Sequence, residues 1–263
     1  MKVGIVIPAY NEERRIEKTL KEYLAYFDKI ERVKKIKYKL LVSVNATTDN
    51  TLNIVKKYVK KNKNLNYINL VEGGKGNAVI QGFKYFIKEK YDLIGFVDAD
   101  LATKPEQFNE LIKSINGYDG IIADRYIKGS IVNPKPTIAR KTASRIFNMA
   151  IRSILLLPYR DTQCGAKLFK RAALEKVIPN LSLSQWAFDV DLIYSLRKLN
   201  FTVKELPTVW SDMQYSKINF MKSGPMMLLG VIRLRLINSP FKVFSRVYDL
   251  SVLLANKLTK ELI

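Results

Sequence analysis

Leu93-Ile94-Gly95-Phe96-Val97-Asp98-Ala99-Asp100 gives the clearest sign of the architecture. Five apolar residues in a row read as a strand buried on both faces. The strand runs directly into two carboxylates one residue apart. The same grammar repeats outward from it. Apolar runs at 3–7, 39–44, 67–71 and 120–123 predict four more short strands. Between them lie helical stripes. Asn11 is placed to cap a helix with Glu12 and Glu13 in its first turn and Ile16, Leu20, Tyr23, Leu24 and Phe27 on its inner face. A second helix starts at Asp49, with Leu52, Val55 and Val59 inward. A third follows Gly73-Gly74 and carries Ala78, Val79, Phe83 and Phe86. Pro105 suits the first turn of a fourth. Strand and helix in alternation predict an α/β fold, a mostly parallel sheet with helices on both faces. Such sheets bind ligands at the carboxyl ends of their strands. The polar clusters at 8–12, 45–48, 75–76 and 98–100 all fall at that edge.

The second half is less regular. Residues 135–157 predict a basic amphipathic helix, 163–169 a strand or a loop entering the site, 184–199 a helix with Trp186, Phe188 and Leu192, and 202–206 a strand. Two further helices, 220–237 and 241–258, meet at Ser239-Pro240. The expected division is a catalytic domain over 1–218 and basic amphipathic helices over 219–263, which associate with a membrane or form a dimer.

The composition narrows the chemistry. There are 45 Lys and Arg against 24 Asp and Glu, a net charge of +21, which points to an anionic partner. Lys56-Lys57 and Lys60-Lys61 read as a solvated face. Tyr58 and Tyr67 stand near these runs, but no nucleic-acid module is present, so no nucleic-acid partner is expected. The chain has no His and a single cysteine, Cys164. That excludes a His/Cys zinc site, a His-based triad and an intramolecular disulfide. A metal would need oxygen ligands, which favours Mg2+ or Mn2+. Met1-Lys2 leads directly into the first apolar run, so no leader is expected. No apolar window is long enough to span a membrane, since Arg152, Arg233 and Arg235 interrupt the best candidates.

Two carboxylates at a strand end can lean toward one cation, and Asp98 with Asp100 is the candidate metal pair. The metal would offset charge developing on a leaving diphosphate. Gly73-Gly74-Lys75-Gly76 can bring backbone amides and an ammonium to a phosphate. The same segment also reads as a flexible turn.

Ile7-Pro8-Ala9-Tyr10-Asn11-Glu12-Glu13 resembles the opening motif of family 2 glycosyltransferases. Gly74-Lys75-Gly76-Asn77-Ala78 and Asp98-Ala99-Asp100-Leu101-Ala102-Thr103-Lys104 resemble its next blocks. Asp161-Thr162-Gln163-Cys164-Gly165-Ala166-Lys167-Leu168-Phe169, Trp186-Ala187-Phe188-Asp189-Val190-Asp191-Leu192, Ser216-Lys217 and Ile232-Arg233-Leu234-Arg235 are similar to blocks of the dolichyl-phosphate glucosyltransferase branch. The resemblance implies an A-type, Rossmann-like glycosyltransferase fold. It also implies inverting transfer of a hexose from a nucleotide sugar to dolichyl or polyprenyl phosphate, with UDP-glucose as donor or GDP-mannose as the alternative. A non-catalytic basic protein on membrane or nucleic acid is the reading of another class.

By the same resemblance Glu12 and the backbone around Pro8 and Tyr10 hold the nucleoside, and Lys75 sits near the phosphates. Asp98, Ala99 and Asp100 meet ribose and metal. Asn45 faces the base where the family carries Asp-Asp-Gly-Ser and this chain has Val44-Asn45-Ala46-Thr47. Ala102 replaces the Gln of many mannosyl relatives. Arg125, Arg140, Lys217, Arg233 and Arg235 are candidates for the acceptor phosphate. Asp189 is a base, an orienting carboxylate or a helix-face ion pair. The expected location is peripheral, on the cytoplasmic face of a membrane. There the basic helices would meet anionic lipid, or their faces would form a homodimer.

Overall fold

The computed structural model describes residues 1–34, 36–134, 138–182, 187–211, 220–240 and 242. In chain order the first half is β1 (Lys2–Ala9), α1 (Ile16–Lys34), β2 (Lys37–Asn45), α2 (Thr51–Val59), β3 (Leu65–Leu70), α3 (Lys75–Lys88), β4 (Leu93–Val97), α4 (Pro105–Ser114) and β5 (Gly120–Asp124). The second half is β6 (Ile131–Asn133), α5 (Ile138–Leu155), β7 (Ala166–Lys170), α6 (Arg171–Val177), α7 (Phe188–Lys198), β8 (Val203–Pro207), β9 (Val209–Ser211) and α8 (Phe220–Ile237).

Seven strands form one sheet in the order β3-β2-β1-β4-β7-β5-β8, and β6 pairs with β9 beside it. Alternation along each strand splits the core into two layers. Ile5, Ile7, Leu40, Val42, Leu93 and Val97 pack toward Leu20, Tyr23, Phe27 and Phe108 of α1 and α4. Val6, Leu41, Ile94 and Phe96 face the other way, toward Val79, Phe83 and Phe86 of α3 and Phe188 and Leu192 of α7. The expected α/β sheet covered on both faces is what forms.

The segment expected at 163–169 to be a strand or a loop contributes β7. It runs antiparallel to both neighbours, between β4 and β5. Asn11 does not cap α1. Glu12 O accepts from the amides of Arg15 and Ile16, both at 2.9 Å, and the helix starts at Ile16. Asn11 instead takes a positive φ of 53°, and its Oδ1 accepts from the Thr48 and Asp49 amides at 2.8 and 3.3 Å. The side chain therefore ties the β1 loop to the β2 loop.

α8 buries Gly224, Met227, Val231 and Leu234 and packs on α5 and α7. The helix expected over 241–258 lies outside the described residues, apart from Lys242. So do Trp186 and Lys217, and so does the side chain of Arg140. Among the described residues, no helix is long and apolar enough to cross a membrane.

Candidate active site

The carboxyl ends of β1, β2 and β4 and the first turn of α3 meet at one edge. Asp98 leaves β4 with its amide donating to Gly165 O at 3.0 Å. The carboxylate lies so close to Gly165 that a methyl there would come within 1.9 Å of Asp98 Oδ2. Only glycine leaves this space open. Asp100 Oδ1 accepts from the Ala102 amide at 3.0 Å. The turn between them puts Leu101 at a φ of 62°, a conformation costly for a bulky side chain. α1 holds the turn in place: Thr19 Oγ1 donates to Ala99 O at 2.7 Å and Tyr23 OH to Thr103 O at 2.8 Å.

Lys75 opens α3, directly after Gly74, whose φ is 116°. Its Nζ lies 2.8 Å from Asp98 Oδ1 and 3.4 Å from Asp189 Oδ2. Asp189 stands in the first turn of α7. Its other oxygen accepts from Lys167 Nζ at 2.6 Å. Lys167 is completely buried and also donates to Cys164 O at 2.6 Å. Burial alone would raise the Asp189 carboxyl, but Lys167 and then Lys75 outweigh it and hold the group below the usual carboxylate range. Burial opposes the charge on Lys75, and Asp189 and Asp98 overcome this, so Lys75 is raised. Asp100 behaves differently. Burial, and then the like charge of Asp98, push it up to about 6.

Arg15 is a neighbour that the motif reading missed. Its Nε and Nη2 grip Glu12 at 2.6 Å each, and its Nη1 is 4.0 Å from Asp100 Oδ2. Glu12 is therefore held in a fork rather than extended from the loop. Asn45 is buried at the end of β2. Its Nδ2 donates to Ala9 O at 3.2 Å and its Oδ1 accepts from the Gly74 amide at 3.0 Å. This amide ties β1 to the turn that carries Lys75. Pro8 is buried within β1, whereas Tyr10 at the rim is 52% exposed.

Arg125 follows β5. Its Nε and Nη2 lie 2.7 and 2.9 Å from Asp161 Oδ2 and Oδ1, and its amide donates to Oδ2 at 3.1 Å. Trp210 and Tyr126 flank the guanidinium at 5.3 and 5.5 Å. Burial lowers and Asp161 raises this group, and the net shift is upward. One short segment thus serves both sides, because Asp161 orients Arg125 and Gly165 makes room for Asp98. Arg233 is half-buried and Arg235 exposed on α8. Cys164 is buried and its thiol is pushed up to about 12, mainly by burial, so it is an inert apolar side chain.

Gly165 and Lys167 are legible in the sequence only as parts of a motif and Tyr23 only as a core residue, while Arg15, Thr19 and the role of Asp161 are not legible there. A lysine in the middle of an apolar run, Ala166-Lys167-Leu168-Phe169, was the available signal. A buried lysine requires a buried anion.

A Rossmann-like sheet that gathers an Asp-x-Asp turn, a lysine at a helix start and buried acidic residues at its carboxyl edge defines a nucleotide-sugar transferase scaffold. The family model "Glycosyl transferase family 2" matches residues 4–178, and the chain belongs to that family. Among its relatives is the dolichyl-phosphate beta-glucosyltransferase of Dictyostelium discoideum, 29% identical across 89% of this chain and 73% of that one. The Saccharomyces cerevisiae protein of the same name is 30% identical across 82% of this chain and 69% of its own length. The fold is similar to that of glucosyl-3-phosphoglycerate synthase from Mycobacterium tuberculosis, solved with Mn2+, UDP-glucose and phosphoglyceric acid. That match has a TM-score of 0.62 at 16% identity and covers 89% of this chain and 78% of that one. The chain is a glycosyltransferase.

Proposed function

We propose that the chain transfers glucose from UDP-glucose to dolichyl or another polyprenyl phosphate with inversion at the anomeric carbon. The observation that carries this is the meeting of Asp98, Asp100 and Lys75 at the carboxyl edge of the sheet, where a diphosphate finds a cation site and an ammonium together. The relatives named dolichyl-phosphate beta-glucosyltransferase support the sugar and the acceptor.

The donor set suits a hard divalent cation. Among the described residues no cluster of three acidic, His or Cys side chains is present. Asp98 and Asp100 would hold Mg2+ or Mn2+ with oxygen ligands only, the other positions falling to phosphate and water. Asp100, pushed up to about 6 by burial and Asp98, is a carboxylate whose charge is under-compensated without a cation. The metal, when bound, neutralises charge on the departing diphosphate.

The chain's own residues do the rest. Pro8, Tyr10, Glu12 and Asn45 border the nucleoside end, Asn45 by holding the Lys75 turn against β1. Lys75 meets the diphosphate. The acceptor phosphate is already an anion, so one of its oxygens forms the new bond to the anomeric carbon as the bond to the diphosphate oxygen breaks. No proton has to be removed. Arg125 has two of its three nitrogens on Asp161 and keeps Nη1 for an acceptor oxygen. Arg140, Lys217, Arg233 and Arg235 are the further cationic candidates. Asp189, ionised between two lysines, acts here as an orienting carboxylate.

A lipid acceptor requires contact with the bilayer. Ile146 and Met149 on α5, Leu156 just after it and Met226 on α8 are large apolar side chains between 48% and 65% exposed. Exposed Arg145 and Arg235 stand on the same two helices. We read this surface as the part that rests on the cytoplasmic leaflet. The function is tested with a panel of labelled sugar nucleotides, short polyprenyl phosphate and Mn2+ or Mg2+. Label from UDP-glucose should pass into the organic phase, and transfer from GDP-mannose alone would overturn the donor assignment.

A further inference from the structure

Lys167 has no part in the donor, metal or acceptor roles described above, although it is a completely buried charge at the centre of the site. A buried ammonium is tolerated only with good partners. Lys167 has two, Cys164 O and Asp189 Oδ1, both at 2.6 Å. Asp189 Oδ2 faces Lys75 at 3.4 Å, and Lys75 reaches Asp98 at 2.8 Å. The Phe96 ring lies beside both ammonium groups, 5.1 Å from Lys167 and 5.4 Å from Lys75. The charges therefore run in a line, cation, anion, cation, before Asp98. Only the Lys75 end opens to solvent, its side chain being 35% exposed.

The sum along Lys167, Asp189 and Lys75 is +1. Without Lys167, Asp189 and Lys75 would cancel, and the opening would present no net cation to a diphosphate. The balance matters most if Asp98 turns toward a metal and leaves Lys75. We infer that Lys167 is a positioning residue that neutralises Asp189 from behind. The positive charge of Lys75 is thereby left uncancelled for the donor diphosphate, and Asp189 is a bridge between two lysines rather than a proton acceptor. This rests on the glycosyl-transfer reading above and adds a residue and a charge relation to it. The depressed Asp189 carboxyl agrees, since a base must take up a proton near the working pH.

The experiment compares the wild type with Lys167→Met and with the double variant Lys167→Met/Asp189→Asn. Calorimetry reads binding of UDP with Mn2+, and steady-state kinetics read kcat and KM separately. Lys167→Met should weaken UDP on the order of tenfold, the loss of one charge-assisted contact, and raise KM for UDP-glucose in parallel. The double variant removes both charges, leaves Lys75 cationic, and should bind UDP within about threefold of the wild type. It should also transfer faster than Lys167→Met. If Lys167→Met does not fold, the double variant still decides: a folded double variant that has lost UDP binding overturns the inference. Equal UDP binding by the wild type and Lys167→Met also overturns it, as does a double variant no better than the single one. A wild-type chain that fails to bind UDP with Mn2+ is a separate failure, one that removes the donor reading itself.

Discussion

Glu205→Gln should make the protein more stable above neutral pH, by an amount that the structure bounds. Glu205 lies on β8, in register with Ile122 of β5. Its Oε1 accepts from the amides of Arg160 and, at 3.4 Å, Asp161. Asp124 is fully buried beside it. Asp124 Oδ1 takes the amides of Tyr126 and Ile127, while Oδ2 finds no ordinary donor. A proton kept on the neighbouring Glu205 carboxyl would supply that hydrogen bond. Burial, and then the contact with Asp124, push it up to about 7.

The sign follows from linkage. The folded state holds this proton more tightly than the unfolded chain, so stability falls as pH rises from the ordinary carboxylate range through about 7. Glu205 is only half-buried, so solvent screening limits this contribution to about 1–2 kcal/mol. Gln keeps the acceptor for the two amides and places an amide donor against Asp124. At pH 8.5 the variant should melt about 2–8 °C above the wild type. At pH 5.5 the wild type keeps its own proton, and the gain should fall to less than half. Melting curves at the two pH values suffice. No gain at pH 8.5, or the same gain at both, would refute the assignment of a shared proton.

Asp100→Asn should lower metal-dependent transfer by roughly a hundredfold or more and abolish the Mn2+-dependent rise in melting temperature with UDP. Gly165→Ala puts a methyl 1.9 Å from Asp98 Oδ2, so Asp98 must move. Transfer should fall steeply, and UDP calorimetry should show weakened binding. Asp161→Asn leaves the partly buried Arg125 without its anion and should cost about 2–4 kcal/mol in denaturant unfolding. Ile146→Asp with Met149→Asp should abolish flotation with anionic vesicles at low salt while UDP binding persists. Continued flotation would remove that face from the membrane surface.

The legible part of the fold was the part governed by local pattern. Short apolar runs bounded by turn residues, with amphipathic helices between them, have few alternatives to a covered α/β sheet. β4 ending at Asp98 placed the carboxylates at the edge where such sheets bind ligands. The direction of β7 was not legible, because a short apolar run such as Ala166–Lys170 reads the same either way along the chain. Asn11 misled for a related reason. A cap and a tether between loops use the same side-chain oxygen, and only the fold brings Thr48 and Asp49 within its reach.

Residue types and their order are enough to name the groups that could do the chemistry: two carboxylates after β4, a lysine after paired glycines, and no imidazole or second thiol to offer another course. How their charges are shared follows from the folded arrangement alone. Lys75, Asp98, Lys167 and Asp189 come from four separate segments, and electrostatic energy depends on distances in space and on exclusion of water. Folding packs Lys167 against Asp189 behind Phe96 and leaves Lys75 at the opening. It also sets Asp100 beside Asp98 in a half-buried turn, where the two like charges repel.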